Sequence, residues 1–97
     1  MNEESEKLIM DFVKGYYKIL GYTIVDLNNK TWQKVLRVSV SKNQYYVFNG
    51  YHEYFISFDF SDKMIVVLDM TAKNETTFTI SEFMTTICDL LLSVYIN

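Results

Sequence analysis

Alternation of apolar and polar residues with a period of two runs from Val35 to Met70, and this pattern limits the possible folds more than any other feature. A period of two is typical of β-strands with one buried face. Turn-like segments interrupt the pattern three times, so it predicts four consecutive strands joined by short hairpins. The first strand is expected to begin near Trp32 and to end at Val40. In this interpretation the even-numbered residues form one continuous apolar face.

The register of the last hairpin follows from burial, because a slip of one residue turns every side chain of a strand to the opposite face. A three-residue loop at Ser61–Lys63 pairs Phe58 with Val66. A two-residue loop pairs Phe58 with Ile65 and turns charged residues toward the buried side. Burial therefore favours the three-residue loop.

The two upstream turns are predicted in the same way. Ser41–Asn43 is expected to be a three-residue loop with Asn43 in the left-handed conformation, which Asn tolerates better than most residues. At the middle turn, Asn49-Gly50 is a strong signal for a two-residue loop. Extending that loop to Tyr51 sets Tyr46 opposite Tyr54 and keeps the even face apolar, so the longer loop is preferred.

Helical patterns flank the strands on both sides. Residues 3–20 carry apolar side chains at spacings of three and four, follow an acidic first turn, and stop at Gly21, a residue type that commonly ends helices. A second helix is predicted to begin at Thr79 and to run almost to the C-terminus. Glu82 would complete a capping box with Thr79, although Ser81 is a competing cap.

Two further segments favour extended structure. Tyr22–Leu27 is rich in β-branched residues and predicts a fifth strand at one edge of the sheet, and Thr76–Thr79 could prolong the sheet briefly. The sequence therefore predicts a single α+β domain over residues 1–97. Its architecture is two-layered, with an antiparallel four- to five-stranded meander and N- and C-terminal helices packed on one face.

Composition restricts the functional classes. The chain has a net charge of −3 and no evident cluster of Lys and Arg, which argues against a nucleic-acid partner. No apolar run approaches the roughly 20 residues of a membrane span, and the acidic N-terminus lacks the pattern of a signal peptide. The single cysteine, Cys88, suits a reducing compartment. We therefore expect a cytoplasmic protein.

Residues able to perform chemistry are few and scattered. His52 is the only histidine, and Cys88 its only candidate partner for Cys-His catalysis, but a cysteine beside an apolar stripe is usually an inert packed thiol. Asp59 and Asp69 flank one hairpin and could form an acid/base pair, yet turn acids are common. No metal-ligand spacing or glycine-rich phosphate loop occurs. We expect no catalytic residues, no cofactor and no metal.

The odd-numbered face of the predicted sheet mixes apolar and charged residues, and no predicted element covers it. An uncovered apolar face indicates an interface, although good strand formers in a solvated sheet are a plainer explanation. The candidate interface residues are Val35, Arg37, Tyr45, Val47, Tyr51, Glu53, Phe55, Asp59, Ile65, Val67 and Asp69.

These observations predict a small acidic protein-binding module, comparable as a class with inhibitor or immunity-type proteins. A bias toward Asn, Lys, Ile and Tyr suggests an AT-rich genome, such as that of a low-GC bacterium or its phages. Small acidic proteins of this kind are common among phage or mobile-element inhibitors, so such an origin is expected. The partner is expected to be another protein with a basic surface, or a second copy in a homodimer. The alternative is a ligand-binding or enzymatic domain whose pocket, between helices and sheet, would use Gln44, Tyr46 and Tyr54.

Overall fold

The computed structural model describes residues 2–38 and 43–96, with side chains described up to Ser93. Its helices and strands, in chain order, are α1 (Glu3–Ile19), β1 (Thr23–Asp26), α2 (Lys30–Leu36), β2 (Gln44–Phe48), β3 (Glu53–Asp59), β4 (Met64–Asp69), β5 (Asn74–Thr79) and α3 (Ile80–Ile96). The five strands form one antiparallel sheet in the order β1-β2-β3-β4-β5, a meander. The predicted α+β architecture is confirmed, with five strands between an N-terminal and a C-terminal helix.

Both terminal helices are bounded as the sequence predicts. The Asn2 side chain caps α1 by accepting a hydrogen bond from the Ser5 amide at 2.8 Å, and Gly21 follows the helix with φ +88°. At the start of α3, the Glu82 amide donates to Thr79 Oγ1 at 3.0 Å, and the Thr79 hydroxyl donates to the Glu82 carboxylate at 2.9 Å. Thr79 is therefore the cap of α3, and the helix begins where β5 ends.

The first predicted strand is wrong for residues 32–38, and its predicted end at residues 39–40 lies outside the described residues. The segment that should begin a strand near Trp32 is instead the helix α2, capped by the Asn29 side chain, which accepts from the Thr31 amide at 2.9 Å. α2 ends at Arg37, which adopts a left-handed φ of 53°. β1 takes the place next to β2, so the predicted strand at Tyr22–Leu27 exists and lies at the sheet edge. β5 lies at the other edge and is longer than the predicted Thr76–Thr79 extension.

The predicted hairpin registers are also wrong, each by one residue. Phe58 pairs with Ile65 rather than Val66, and Tyr46 pairs with Phe55 rather than Tyr54. The three hairpins enclose four-residue loops at 49–52, 60–63 and 70–73. The expected loop at Ser41–Asn43 falls largely outside the described residues, but Asn43 has the predicted left-handed backbone, with φ 61°.

Turn chemistry explains these registers. An Asx side chain begins each turn and accepts hydrogen bonds from amides two or three residues later: Asn49 from Tyr51 and His52, Asp59 from Asp62, and Asp69 from Thr71 and Ala72. Lys63 and Lys73 then close their turns with φ of 55° and 57°. Four-residue hairpin loops built on a turn of this kind are common, and such local bonds set the register.

The new registers redistribute the two faces of the sheet. On β3 the even-numbered residues face α1 and α3, but on β2 and β4 the odd-numbered residues do so. The core between sheet and helices consists of Val13, Tyr17, Tyr45, Val47, Ile56, Phe58, Ile65, Ile80, Phe83 and Ile87. Three predicted interface residues, Tyr45, Val47 and Ile65, are therefore buried under the helices rather than on an open face.

The opposite side of the sheet, which we call the second face, is partly covered. Val25, Leu27, Tyr46 and Phe55 form a separate buried cluster there, and Leu36 and Val38 pack against it from α2 and the residues after it. Gln33 of α2 also donates from Nε2 to the Leu27 carbonyl at 2.8 Å. The expectation that no element covers this face is thus wrong for the half nearest β1.

Candidate functional site

No described residue outside the sheet covers the remaining half of the second face, over β3, β4 and β5, and this half is apolar along its centre. Leu68 lies directly opposite Phe55, and Val66 opposite Ser57, so β4 turns these even-numbered residues to the second face. Leu68 is 36% exposed and Met70, just beyond the strand, 39%. We call this surface the open half. Its members are Ser57, Met64, Val66, Leu68, Met70, Glu75 and Thr77.

A groove separates the open half from the covered half. Its volume is about 290 Å³, and it is lined by Val38, Gln44, Phe55, Leu68 and Met70. Phe55 forms its floor and is almost fully buried. A concave apolar site of this size suits one or two anchoring side chains of a partner, the arrangement found at the energetic centres of protein interfaces.

Stacked aromatic rings support the groove from the β2 side. The Tyr46 ring lies 4.9 Å from that of Phe48 and 5.1 Å from that of Phe55, centroid to centroid. The Tyr46 hydroxyl donates a hydrogen bond to Glu53 Oε1. Burial raises the pKa of Tyr46 to about 12, and the hydrogen bond and negative charge of Glu53 contribute. Tyr46 thus remains a neutral donor that fixes the Glu53 carboxylate at the rim of the open half.

The outer surface of α2 adjoins this groove and is basic. Lys30 and Lys34 line a depression of about 820 Å³ together with Thr31, Gln33, Val35 and Val38, and Val38 also lines the apolar groove. Residues 27–52 contain four of the nine Lys and Arg but none of the Asp and Glu. Within residues 2–38 and 43–96, Lys30 and Lys34 form no ion pair, since the ion pair found there joins Lys14 and Asp11.

Apolar side chains protrude from the same helix. Val35 is 64% exposed and Trp32 is 37% exposed. Exposed apolar groups that form a contiguous patch often mark a site where a partner binds. Sequence reasoning missed α2 altogether. The signal that could have found it is the acid-free, lysine-bearing segment that follows the Asn29 cap.

The acidic residues of the second face lie on the other side of the groove. Glu75 is exposed on β5, directly opposite Leu68, and Glu53 is exposed where β3 begins, bonded through its carbonyl to the Met70 amide. The second face therefore carries positive charge on α2 and negative charge beside the open half. Apolar residues lie between the two.

The predicted interface residues divide between several places. Glu53, Phe55 and Asp59 lie on the second face, while Val35 and Arg37 belong to α2 and its cap. The other six lie elsewhere. Val67 is half-buried against the helices, Tyr51 is 84% exposed at the β2–β3 turn, and the Asp69 carboxylate accepts hydrogen bonds within its own turn. Tyr45, Val47 and Ile65 are buried in the core. The predicted single odd-numbered face does not exist.

The candidate chemical residues are not assembled into a site. No hydrogen bond joins His52 and Cys88 in the described part of the chain, and Cys88 is exposed rather than packed as expected. Asp59 ends β3 opposite Met64, and Asp69 ends β4, so the two residues are roughly 17 Å apart along the strand direction. Among the described residues, no group of three or more His, Cys, Asp or Glu could hold a metal ion. None of the described helices is long and apolar enough to span a membrane.

The pocket expected between helices and sheet does not bring its three residues together. Gln44 and Tyr46 lie on the second face, while Tyr54 faces the helices among Tyr17 and Tyr22, with ring centroids 6.3 and 5.9 Å away. Burial raises the pKa of Tyr54 to about 12, and its hydrogen bond with Tyr22 contributes. These rings pack against one another as part of the core.

The helical layer exposes further apolar residues: Leu8, Phe12, Ile19, Leu90 and Leu92. None of them lines the apolar groove, the depression beside α2, or a third depression of about 480 Å³ near Glu6 and Asn43. The second face is therefore the better-formed candidate for a docking surface, since there exposed apolar groups, a groove and charge occur together.

No protein-family description, curated protein or solved structure matches this chain. The functional interpretation therefore depends on the surfaces described above.

Proposed function

We propose that this chain is a non-enzymatic protein-binding module whose docking surface is the open half of the second face. The observation that carries the proposal is the row of apolar second-face residues along β4, next to a groove of about 290 Å³. Leu68 and Met70 are each more than one third exposed there. Methionine suits such a surface because its flexible, polarisable side chain adapts to a partner.

The geometry favours binding over catalysis. The described residues that line the groove are apolar apart from one amide, Gln44, and none of them is a nucleophile, acid or base. An anchoring side chain from a partner could enter it, while Glu53 and Glu75 would border the contact and influence orientation and association rate. An inhibitor or immunity-type protein would act in this way, by occupying its target rather than by changing it.

The proposal includes a reducing, cytoplasmic setting. Cys88 is unpaired and exposed. An exposed thiol persists where glutathione and thioredoxin keep thiols reduced, and is liable to oxidation or mixed disulfides elsewhere. A phage or mobile-element origin accords with the residue usage of the chain.

Capture of partners from the proteome of the native host tests the docking surface. The immobilised wild-type protein is compared with Leu68→Lys/Met70→Lys on the open half and with Leu8→Lys/Leu92→Lys on the helical layer. Each pair replaces two exposed apolar residues by lysine, so both change net charge equally. Circular dichroism establishes that both variants remain folded.

The proposal predicts a protein retained by the wild type and by the helical-layer variant but lost by the open-half variant. Binding of that purified protein, measured by calorimetry, should weaken in the same order. A partner lost only by Leu8→Lys/Leu92→Lys would assign the function to the helical layer and refute the proposal.

A further inference from the structure

We infer that the second face docks a second copy of this chain, with α2 of each copy lying in the open half of the other. The inference rests on the proposed function, because it assigns an occupant to the same surface. Leu36 packs α2 onto the covered half of the second face, so we call α2 the ridge, and we call the open half beside the groove the recess. Two copies related by a two-fold axis would place each ridge in the opposite recess, as an isologous interface requires.

The exposed apolar groups on the ridge and the recess match. On the ridge, Val35 and Trp32 are 64% and 37% exposed. In the recess, Leu68 and Met70 are 36% and 39% exposed. Face-to-face docking would remove both sets from water in one contact, and two-fold symmetry would repeat that contact.

Charge also matches across the same axis. Lys30 and Lys34 line the depression on α2, and neither forms an ion pair within the described residues. Glu75 is exposed on β5 beside Leu68, in the recess. A two-fold rotation exchanges the two ends of the second face, so the lysines of each copy would meet the glutamate of the other.

This complementarity matters because the chain is acidic overall, at −3. Two copies therefore repel each other at long range, and a surface of uniform charge would not self-associate readily. A surface with basic and acidic ends can bind its own copy, since unlike charges meet on rotation and like charges are kept apart.

The dimer would hide the open half, so a foreign partner would compete with self-association. Dimerisation would then lower the apparent affinity for the partner as protein concentration rises. The edge of β5 and the helical layer are the other surfaces through which copies could meet, and the variants below separate them.

Sedimentation equilibrium from micromolar to millimolar protein tests the inference. Two variants reverse charge at opposite ends of the second face: Lys30→Glu/Lys34→Glu on α2, and Glu75→Lys on β5. Lys7→Glu/Lys18→Glu on α1 is the matched control, because it alters the net charge as much as the α2 variant does. Lys7 and Lys18 lie on α1, away from the second face.

The wild type and the α1 control should dimerise reversibly. Each second-face variant alone should dimerise at least about tenfold more weakly, since like charges would meet twice in its dimer. An equimolar mixture of the two second-face variants should regain dimerisation as a heterodimer, because both contacts then join unlike charges again. This rescue requires that α2 of one copy contact the β5 side of the other, and a closed dimer without larger species is the mark of an isologous contact.

Three results would each overturn the inference: a wild type that stays monomeric throughout, a dimer that neither second-face variant weakens, or an equimolar mixture of the two variants that fails to recover dimerisation. The proposed function is judged separately by partner capture. If the wild type is monomeric and Leu68→Lys/Met70→Lys abolishes partner capture, the proposed function is supported and the dimer is refuted. If the dimer is sensitive to the charge reversals but those two substitutions leave partner capture unaffected, the dimer is supported and the proposed function is refuted.

Discussion

Two valines on inner strands provide a sharp test of the sheet register. Val47 on β2 is 1% exposed and lies in the core under α1 and α3, whereas Val66 on β4 is half-buried on the second face. An even-numbered core face would reverse these positions, with Val66 inside and Val47 outside. Replacing each valine by alanine removes the same two methyl groups. The difference between the two losses in the free energy of unfolding therefore depends on where each valine lies, not on the substitution.

The structure gives the magnitudes. Burying the two methyl groups of Val47 contributes about 1.6 kcal/mol at about 0.8 kcal/mol per carbon. A cavity left in the packed core adds to this, so Val47→Ala should lower the free energy of unfolding by about 2–3 kcal/mol. Val66→Ala leaves no enclosed cavity and should cost about 1 kcal/mol or less. For a domain of this size, each kcal/mol lowers Tm by about 4–8 °C.

Urea unfolding followed by circular dichroism measures both variants against the wild type. The midpoint should fall clearly for Val47→Ala and slightly for Val66→Ala, with the slope unchanged in both, since the surface exposed on unfolding is nearly the same. Equal costs, or a larger cost for Val66→Ala, would show that the register and the two faces described above are incorrect.

Three further predictions concern caps, turns and ionisation. Thr79→Ala should lower the free energy of unfolding by about 1 kcal/mol, because the Glu82 amide loses its acceptor, while Ser81→Ala should change it little. Urea midpoints measure both variants, and equal losses would contradict the assignment of Thr79 as the cap. Lys73 has a left-handed φ of 57°, which costs a residue with a Cβ atom about 1 kcal/mol, so Lys73→Gly should raise Tm. Lys7→Gly within α1 should lower Tm, because glycine destabilises the interior of a helix. The pKa of Tyr46 is raised to about 12 in the folded protein from 10.0, so its contribution to stability is complete below pH 10 and is lost as pH rises toward 12. Tyr46→Phe should therefore show a shallower decline of the urea midpoint over that range, and an unchanged decline would mean that Tyr46 ionises as readily in the folded chain.

The elements with strong local signals were predictable from the sequence. α1 has an apolar stripe, an acidic first turn and Gly21, and α3 has the Thr79–Glu82 cap, so the bounds of both helices follow from local chemistry. Tyr22–Leu27 gave a strand because β-branched residues favour extended backbone.

The registers were not predictable from alternation, because β4 has no unique phase. Ile65, Val66, Val67 and Leu68 are all apolar, so either parity could face the core. Turn chemistry decides instead: Asp59 and Asp69 accept turn amides, and a lysine closes each turn. An acid at the end of a strand was the available signal for a four-residue loop.

The docking surface was missed for a related reason. The alternation that follows Val35 extended the predicted strand back into the segment that forms α2, but Asn29 caps this segment as a helix and Leu36 packs it onto the second face. Net charge then pointed to a basic partner, although the cations are concentrated on α2. Local distribution of charge, rather than its sum, describes this surface.

The central claim is that the chain acts through the open half of the second face. Methyl NMR of Leu-, Val- and Met-labelled protein, titrated with the captured partner, tests it most directly, because each methyl group reports its own surroundings. The largest shifts should occur at Leu68 and Met70, with smaller ones at Val66. Largest shifts at Leu8 and Leu92, with Leu68 and Met70 unchanged, would contradict the claim.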